Sequence, residues 1–410
     1  MLLCDVANLE PGMIVGGSIP HPKRPTTELL RPGAELDANM IEHLTRLGIS
    51  EVWVAHDATS DLDAAVGSGL SVARMSVFQQ LKTDFSRLSV STVSGAKLQV
   101  YRQTVTDLVF ELISTGQYAH LAHQMVNDTS GVFTHCANVA FLSVLVGLEM
   151  ETYLVSQRPQ LSPEHARDVV PLGLGAMLHD IGKTALNPED RTKHEIANQP
   201  TDEDEIKNYR KHIFAGHKML DVSRFPATAR HAVLNHHQRF DGKGWPIQAA
   251  RREGSETRPQ RGTEIHIFSR IIAAANVLDN LINGANKPHI SPVAALREFN
   301  STRFDGWFDP VVRYLMIRRL PPFPIGSLVR LSNNAKATIV SLNFRQPCRP
   351  TVRMLDENTR NNKGEYTTVD LDIEPSIHIV ESGGNNVEKH LFELPDLKST
   401  VEKEKATSSA

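Results

Sequence analysis

Residues 171–183 read PLGLGAMLHDIGK. An uncharged run from Pro171 to Leu178 leads into His179 and Asp180 side by side, then Gly182 and Lys183. The apolar character extends over Val169–Ile181, and two more stretches share it, Val132–Leu154 and Ile265–Ile282. Helices apolar on every side belong in the middle of a bundle, so these stretches predict a mainly α fold. Polar groups buried inside such helices need partners or cost roughly 1–3 kcal/mol each. Asn276 and Asp279 form an i, i+3 polar pair within the last of these stretches.

Working outward, the HDIGK string at 179–183 has a counterpart in HHQRFDGKGWP at 236–246, and His135 and His212 are spaced to join them. His135, His179, Asp180, His212, His236 and His237 carry the imidazole and carboxylate donors of hydrolytic transition-metal sites, and adjacent HD and HH pairs have no packing use. Neighbours on a helix point about 100° apart. The reading is therefore a pair of metals, with His179 on one ion and the Asp180 carboxylate bridging both. His236 and His237 repeat the adjacent pair, and the DGKGWP turn covers one side of the site. His212 is expected early in a helix, where Gly216 permits close approach of another backbone. Gly182 lets the chain leave its helix, which puts Lys183 at the rim, where an ammonium can meet a phosphate oxygen. His135 shares a face with Val139, Leu142 and Val146 and points into the core; alone it would read as an ordinary core histidine, as His217 and His231 do.

A chain of 410 residues, 40% hydrophobic and 22% charged, fits a globular protein of two or three domains. A net charge of −3 argues against a protein that coats polymeric nucleic acid, but not against a small anion held by a local basic pocket. Cys4, Cys136 and Cys348 are odd in number and make no CxxC pair, which excludes a zinc ribbon and a disulfide framework. The opening MLLCDVANLEPG lacks a basic segment and is not a signal peptide, and the longest apolar stretch, Val139–Leu148, is far short of a membrane span. A cytoplasmic protein is expected.

Residues 1–60 read as a small α/β unit, with short strands at Met13–Val15 and Glu51–Val54 and a helix capped by Asp37 that stops at Gly48. Residues 58–70, rich in Ala, Asp, Ser and Gly, read as a linker, and 71–320 as the helical domain. Beyond PPFP at 321–324 the period becomes alternating, so 325–382 reads as a small β unit with strands at Ser327–Leu331, Thr338–Leu342, Thr351–Leu355 and Val369–Ile373. Residues 383–410 read as a disordered tail. Apolar helix faces before residue 130 would permit a homodimer.

The motifs resemble the HD-GYP family, a branch of the HD superfamily of metal-dependent phosphohydrolases. The family pattern falls on His135, on His179-Asp180 with Lys183, on His212 with Gly216, and on His236-His237 with Asp241, Gly242, Gly244 and Pro246, over about 130–320. The PGM at 11–13 and the β unit at 325–382 are similar to the domains that flank this family. The resemblance implies an HD-type helical bundle, a centre of two divalent ions, commonly iron or manganese, and cyclic di-GMP as substrate, opened to pGpG or taken on to GMP. It makes Asp180 and Lys183 the catalytic pair. It places Asn276 with His135, His179, Asp180, His212, His236 and His237 as a metal ligand, and Lys183, Asp279, Lys287, Gly244 and Trp245 against the substrate.

Four positions depart from the pattern. Trp245 stands for the tyrosine of GYP and keeps an aromatic wall. Gln238 stands for the glutamate after HH, losing an acceptor charge beside the ligands. Asn276 stands for a ligand aspartate, which keeps an oxygen but loses its charge, so that one metal is held more weakly. Gly131 stands where some members carry a glutamate for a third metal. The substrate segment is altered as well, to Asn286-Lys287-Pro288-His289. Arg251, Arg252, Arg258 and Arg261 populate a long loop at 248–263, which reads better as a solvated loop with balancing acids than as a phosphate-facing lid. Three functions follow: an active cyclic di-GMP phosphodiesterase, favoured by Asp180, His212, His236, His237 and Lys183; a degenerate domain that binds cyclic di-GMP or a protein without turnover, favoured by Asn276 and Gln238; and an HD phosphohydrolase for another nucleotide.

Overall fold

The computed structural model describes residues 1–21, 24–49, 51–62, 95–115, 132–191, 203–220, 224–247, 257–283, 290–356, 365–394 and 396–397. Near the N-terminus, β1 (Leu2–Asp5) pairs antiparallel with β4 (Glu51–Val54), β2 (Ile19–His21) pairs with β3 (Arg24–Leu30), and α1 spans Ala38–Arg46. Asp37 caps α1 by accepting from the Met40 amide at 2.7 Å, and Gly48 leaves it with φ +73°. The strand expected at Met13–Val15 is not formed; Ile14 and Val15 make only isolated bridges. Leu2, Leu3 and Cys4 take the place beside β4 because all are buried, a continuous apolar run rather than an alternating one. The Leu3 amide also donates to the Gly326 carbonyl at 2.7 Å, which joins the start of the chain to the C-terminal sheet.

Part of the expected linker is structured. Asp57–Leu62 forms a 3-10 helix with Ala58 and Thr59 buried. Arg353 of the C-terminal sheet holds it through the Ala58 carbonyl and the Asp61 carboxylate, the latter at 2.8 and 3.0 Å. Residues 63–70 lie outside the described residues.

The bundle comprises α2 (Gly95–Thr115), α3 (Val132–Glu149), α4 (Glu151–Gln157), α5 (Pro163–Ala166), α6 (Val170–Leu178), α7 (Pro188–Arg191), α8 (Glu203–Met219), α9 (Ala227–Asn235), α10 (Ile267–Asn283), α11 (Pro292–Phe299) and α12 (Pro310–Arg319). The expected apolar helix Val132–Leu154 is two helices, α3 and α4, bent by 88° at Met150. At the centre, α3 packs on α6, α10 and α12, α6 on α9 and α2, and α8 on α9. Every residue of α10 from Ile267 to Ile282 is buried. Its Arg270 pairs with Asp309, the N-cap of α12, and reaches Gln157 of α4 at 2.7 Å, so one buried ion pair fixes how three helices meet. Among the described residues no single helix is long and apolar enough to cross a membrane.

The C-terminal sheet has six strands in the order β10-β9-β5-β6-β7-β8, every adjacent pair antiparallel. Of these, β5 (Leu328–Leu331), β6 (Lys336–Ser341), β7 (Thr351–Met354) and β8 (Thr368–Asp370) correspond to the expected strands, while β9 (Ile379–Ser382) and β10 (Asn385–Asn386) are additions. The expected disorder does not begin at 383. Val387 and Leu394 are buried, so the chain packs back on the protein through at least Leu394. Residues 398–410 lie outside the described residues.

Candidate metal centre

Both adjacent pairs sit at helix C-termini. His179 is the C-cap of α6, Asp180 starts the 3-10 turn Ile181–Ala185, and His236 is the C-cap of α9. The break after the helix is what lets two consecutive side chains reach one centre, since continued α geometry would splay them by about 100°. The last carbonyls of a helix lack backbone partners, and here imidazoles use them. His179 Nδ1 donates to Ala176 O at 2.8 Å and His236 Nδ1 to Val233 O at 2.8 Å. His212, in the middle of α8 rather than early in it, donates in the same way to Tyr209 O at 2.6 Å. A carbonyl can only accept, so Nδ1 carries the proton in all three rings and Nε2 presents a bare lone pair.

Those lone pairs converge. His212 Nε2 lies 3.2 Å from His237 Nε2 and 3.4 Å from His236 Nε2, and His179 Nε2 lies 3.2 Å from His135 Nε2. Asp180 stands between the two groups. Its Oδ2 is 3.5 Å from His179 and 3.7 Å from His135, and its Oδ1 is 3.4 Å from His212 and 3.7 Å from His236. Both carboxylate oxygens are buried; Oδ2 meets the Lys183 ammonium at 2.7 Å, while Oδ1 has no hydrogen-bond donor. His212 and His236, each with its proton on Nδ1, face one another through bare Nε2 atoms 3.4 Å apart, which repel unless a cation sits between them. Separations of this size match the edge of a coordination shell with ligands about 2.1 Å from one ion. The donor set thus fits divalent metal in two groups, Asp180 with His212, His236 and His237, and Asp180 with His135 and His179.

Charge agrees. Burial holds the imidazoles of His179 and His212 down to about 3 and that of His236 well below its ordinary value, so all three stay neutral and able to ligate. Burial alone would raise the Asp180 carboxyl, but Lys183 and the surrounding imidazoles outweigh it and hold the group well below the usual carboxylate range. Lys183 is not at the rim. It is 5% exposed, its Nζ is 2.7 Å from Asp180 Oδ2, and it lies over the Tyr209 ring at 5.6 Å.

The glycines are steric. A Cβ on Gly182 would lie 1.8 Å from His212 O and 2.4 Å from Gly216 N, so Gly182, more than Gly216, lets the 3-10 turn seat against α8. A Cβ on Gly244 would lie 2.3 Å from Arg239 N and 2.5 Å from His237 O, which makes that residue part of a folded-back turn. Trp245 is 6% exposed and stacks on His237 with centroids 3.9 Å apart and planes 13° apart. Its ring thus backs a ligand. Gln238 donates to Pro246 O at 2.7 Å and accepts from Gln260 N at 3.0 Å, a clamp that needs both halves of an amide and that a glutamate could not make. Asn276 Oδ1 accepts from Asn280 at 2.8 Å. Asp279 is 1% exposed and contacts His135 Nδ1 at 2.6 Å.

Lys287, with Asn286, Pro288 and His289, and also Arg251, Arg252 and Gly131, lie outside the described residues. Arg258 is engaged by Glu264 at 2.8 and 2.7 Å, in agreement with a balanced surface loop. Sequence reasoning did not single out Tyr209, Asn138 or Asn280. Asn138, three residues after His135 on the same helix, donates to Asp279 Oδ1 at 2.9 Å, and the i, i+3 spacing was its only signal.

An HD domain profile matches residues 154–312, and a profile for a KOW domain associated with HD domains matches 328–386. The chain is 25% identical over 353 residues to the cyclic di-GMP phosphodiesterase PA4108 of Pseudomonas aeruginosa, covering 79% of this chain and 78% of that protein. It is 25% identical to the cyclic di-GMP phosphodiesterase PdeB of Borreliella burgdorferi, over 57% of this chain and 55% of that one. It is 30% identical to the cyclic di-GMP phosphodiesterase response regulator RpfG of Xanthomonas campestris, over 32% of this chain and 30% of that one. Bd1817, an HDG"Y"P protein from Bdellovibrio bacteriovorus, superposes with a TM-score of 0.44 at 15% identity, over 77% of this chain and 98% of its own. A helical bundle with buried HD and HH pairs under an HD profile defines an HD-domain metalloprotein. Within that domain lie HDIGK and the HHQRFDGKGWP turn, and the chain is similar to these cyclic di-GMP phosphodiesterases, with GWP where the HD-GYP pattern has GYP.

Proposed function

We propose that the protein is a metal-dependent phosphodiesterase that hydrolyses cyclic di-GMP to pGpG or GMP in the cytoplasm, using two divalent ions, iron or manganese. One observation carries the reading. Asp180 offers one oxygen to each of two imidazole groups, Oδ2 paired with Lys183 and Oδ1 buried without a hydrogen-bond donor. His135 and His179 with Asp180 would hold one ion, and His212, His236 and His237 with Asp180 the other. Bound there, divalent ions would supply Lewis-acid activation of the phosphodiester and of the attacking water.

The chain's own residues do the rest. The carbonyls of Ala176, Tyr209 and Val233 fix the ring tautomers before any ligand arrives, so the donors need no reorganisation. Lys183 keeps Asp180 ionised and brings a buried positive charge to the edge of the centre, where it offsets charge developing on a phosphoryl oxygen. Trp245, stacked on His237, shuts water from that ring's outer face.

A second reading, nucleotide binding without turnover, is favoured by Asn276, a neutral residue whose oxygen is already engaged by Asn280. Metal content and product analysis decide between them. Purified protein loaded with manganese or reduced iron is expected to carry two ions per chain and to yield linear product, while Asp180→Ala yields none. Tight nucleotide binding by wild type with no linear product would replace the enzyme reading with the second.

A further inference from the structure

His135 is held differently from the other ligands. His179, His212 and His236 each donate from Nδ1 to a carbonyl of their own helix, a neutral acceptor. His135 Nδ1 instead faces a carboxylate from another helix, Asp279 Oδ2 at 2.6 Å. The other oxygen of Asp279 accepts from two neutral amides, Asn138 and Asn283, each at 2.9 Å. At 1% exposure, Asp279 therefore has its charge directed at the imidazole, with solvent excluded.

The same half of the centre is short of a ligand, and its only charge is the carboxylate it shares. It has His135, His179 and a shared Asp180, against His212, His236, His237 and the same Asp180 in the other half. Asn276, one turn before Asp279 on α10, brings no charge. An ionised carboxylate behind a ligating imidazole raises the basicity of its far nitrogen and fixes its orientation.

We infer that Asp279 is a positioning residue for the His135 half of the centre, supplying through the His135 ring the negative charge that Asn276 does not bring, and that binding of the second ion depends on it. The inference rests on the metal reading of the site and not on the identity of the nucleotide. It differs from the expectation that Asp279 meets the substrate, which a buried carboxylate committed to His135, Asn138 and Asn283 is poorly placed to do.

Metal stoichiometry of the full-length protein tests it. Wild type, Asp279→Asn and the double variant Asn276→Asp/Asp279→Asn are loaded with manganese, freed of excess ion and assayed for manganese per chain, with the thermal midpoint recorded for each. Wild type is expected to hold two ions. Asp279→Asn should hold one, with affinity for the second reduced about 10- to 100-fold. The double variant should regain the second ion without regaining the thermal midpoint, because charge returns at 276 while the Asp279 hydrogen bonds stay lost.

If Asp279→Asn holds two ions as tightly as wild type while its KM for the cyclic dinucleotide rises, the residue faces substrate and the inference is wrong. Loss of both ions in step with a fall in thermal midpoint, with no recovery in the double variant, would make the role purely structural. Should Asp279→Asn fail to fold, Asn138→Ala serves, since it frees one Asp279 oxygen while the carboxylate stays, and a weakened second ion is expected there too; two ions held at wild-type affinity would overturn the inference. A wild type that binds no ion overturns the metal centre itself, a result distinct from all of these.

Discussion

The two halves of the centre share Asp180 and are otherwise built on opposite plans. The half at His212, His236 and His237 has three imidazoles of its own, two of them locked by carbonyls of their own helices and the third backed by the Trp245 ring. The half at His135 and His179 has two, and His135 depends on a carboxylate from α10. Exposure singles out His135 rather than its whole half, since His179 is as buried as His212 and His236. The side chains of His212 and His236 are fully buried, whereas that of His135 is 11% exposed. A site with spare ligands and local anchoring should tolerate loss of one donor, and a site with few ligands anchored across helices should not.

Three measurements break or sharpen that contrast. The largest effect is expected from His135→Ala against His236→Ala. The first leaves its half with two donors and should empty it, lowering manganese per chain from two to one. The second leaves three and should weaken binding while remaining loadable at higher metal. Equal loss in both variants would show that the halves do not differ.

Gly182→Ala comes next, since a methyl group there would overlap His212 O and Gly216 N. Forcing the 3-10 turn off α8 should cost about 3 kcal/mol, seen as a lower urea midpoint. It should also loosen the four-ligand half, through His212, more than the other. A midpoint equal to wild type would mean that the contact relaxes freely.

The third measurement concerns acid. Burial lowers His179 and His212 to about 3, and lowers His266, outside the centre, to about 4. Unfolded histidine titrates near 6.5, so below that pH the unfolded chain takes up protons that the fold refuses. Stability of the metal-free protein should hold above about pH 6.5 and fall as pH drops toward 4, and a flat urea midpoint across that window would remove the basis for neutral, ligation-ready rings.

Much of this was legible in the chain. Three long apolar stretches can only be bundle interior, and the HD and HH pairs have no use on an apolar helix except chemistry. Asp37 as a cap and the alternation after residue 327 are equally local signals, and the structure shows both. What failed were inferences that needed a distant partner. Met13–Val15 is apolar and β-branched enough for a strand, but Leu2–Asp5 wins the place beside β4, with Leu2, Leu3 and Cys4 all buried. Residues 58–62 look like a linker by composition and become a docked 3-10 helix because Arg353, nearly three hundred residues away in sequence, binds them.

The sequence by itself determined the donors, their order and the α class, because ligand chemistry and hydrophobic period are properties of residue type and spacing. Only the tertiary structure decided which donor goes with which. Asp180 splits its oxygens between two groups because two helix C-termini and the middle of a third helix converge on it. Likewise Gln238 clamps the GWP turn, and Asp279 stands behind His135. Such pairings depend on distances across the bundle, which no local pattern encodes.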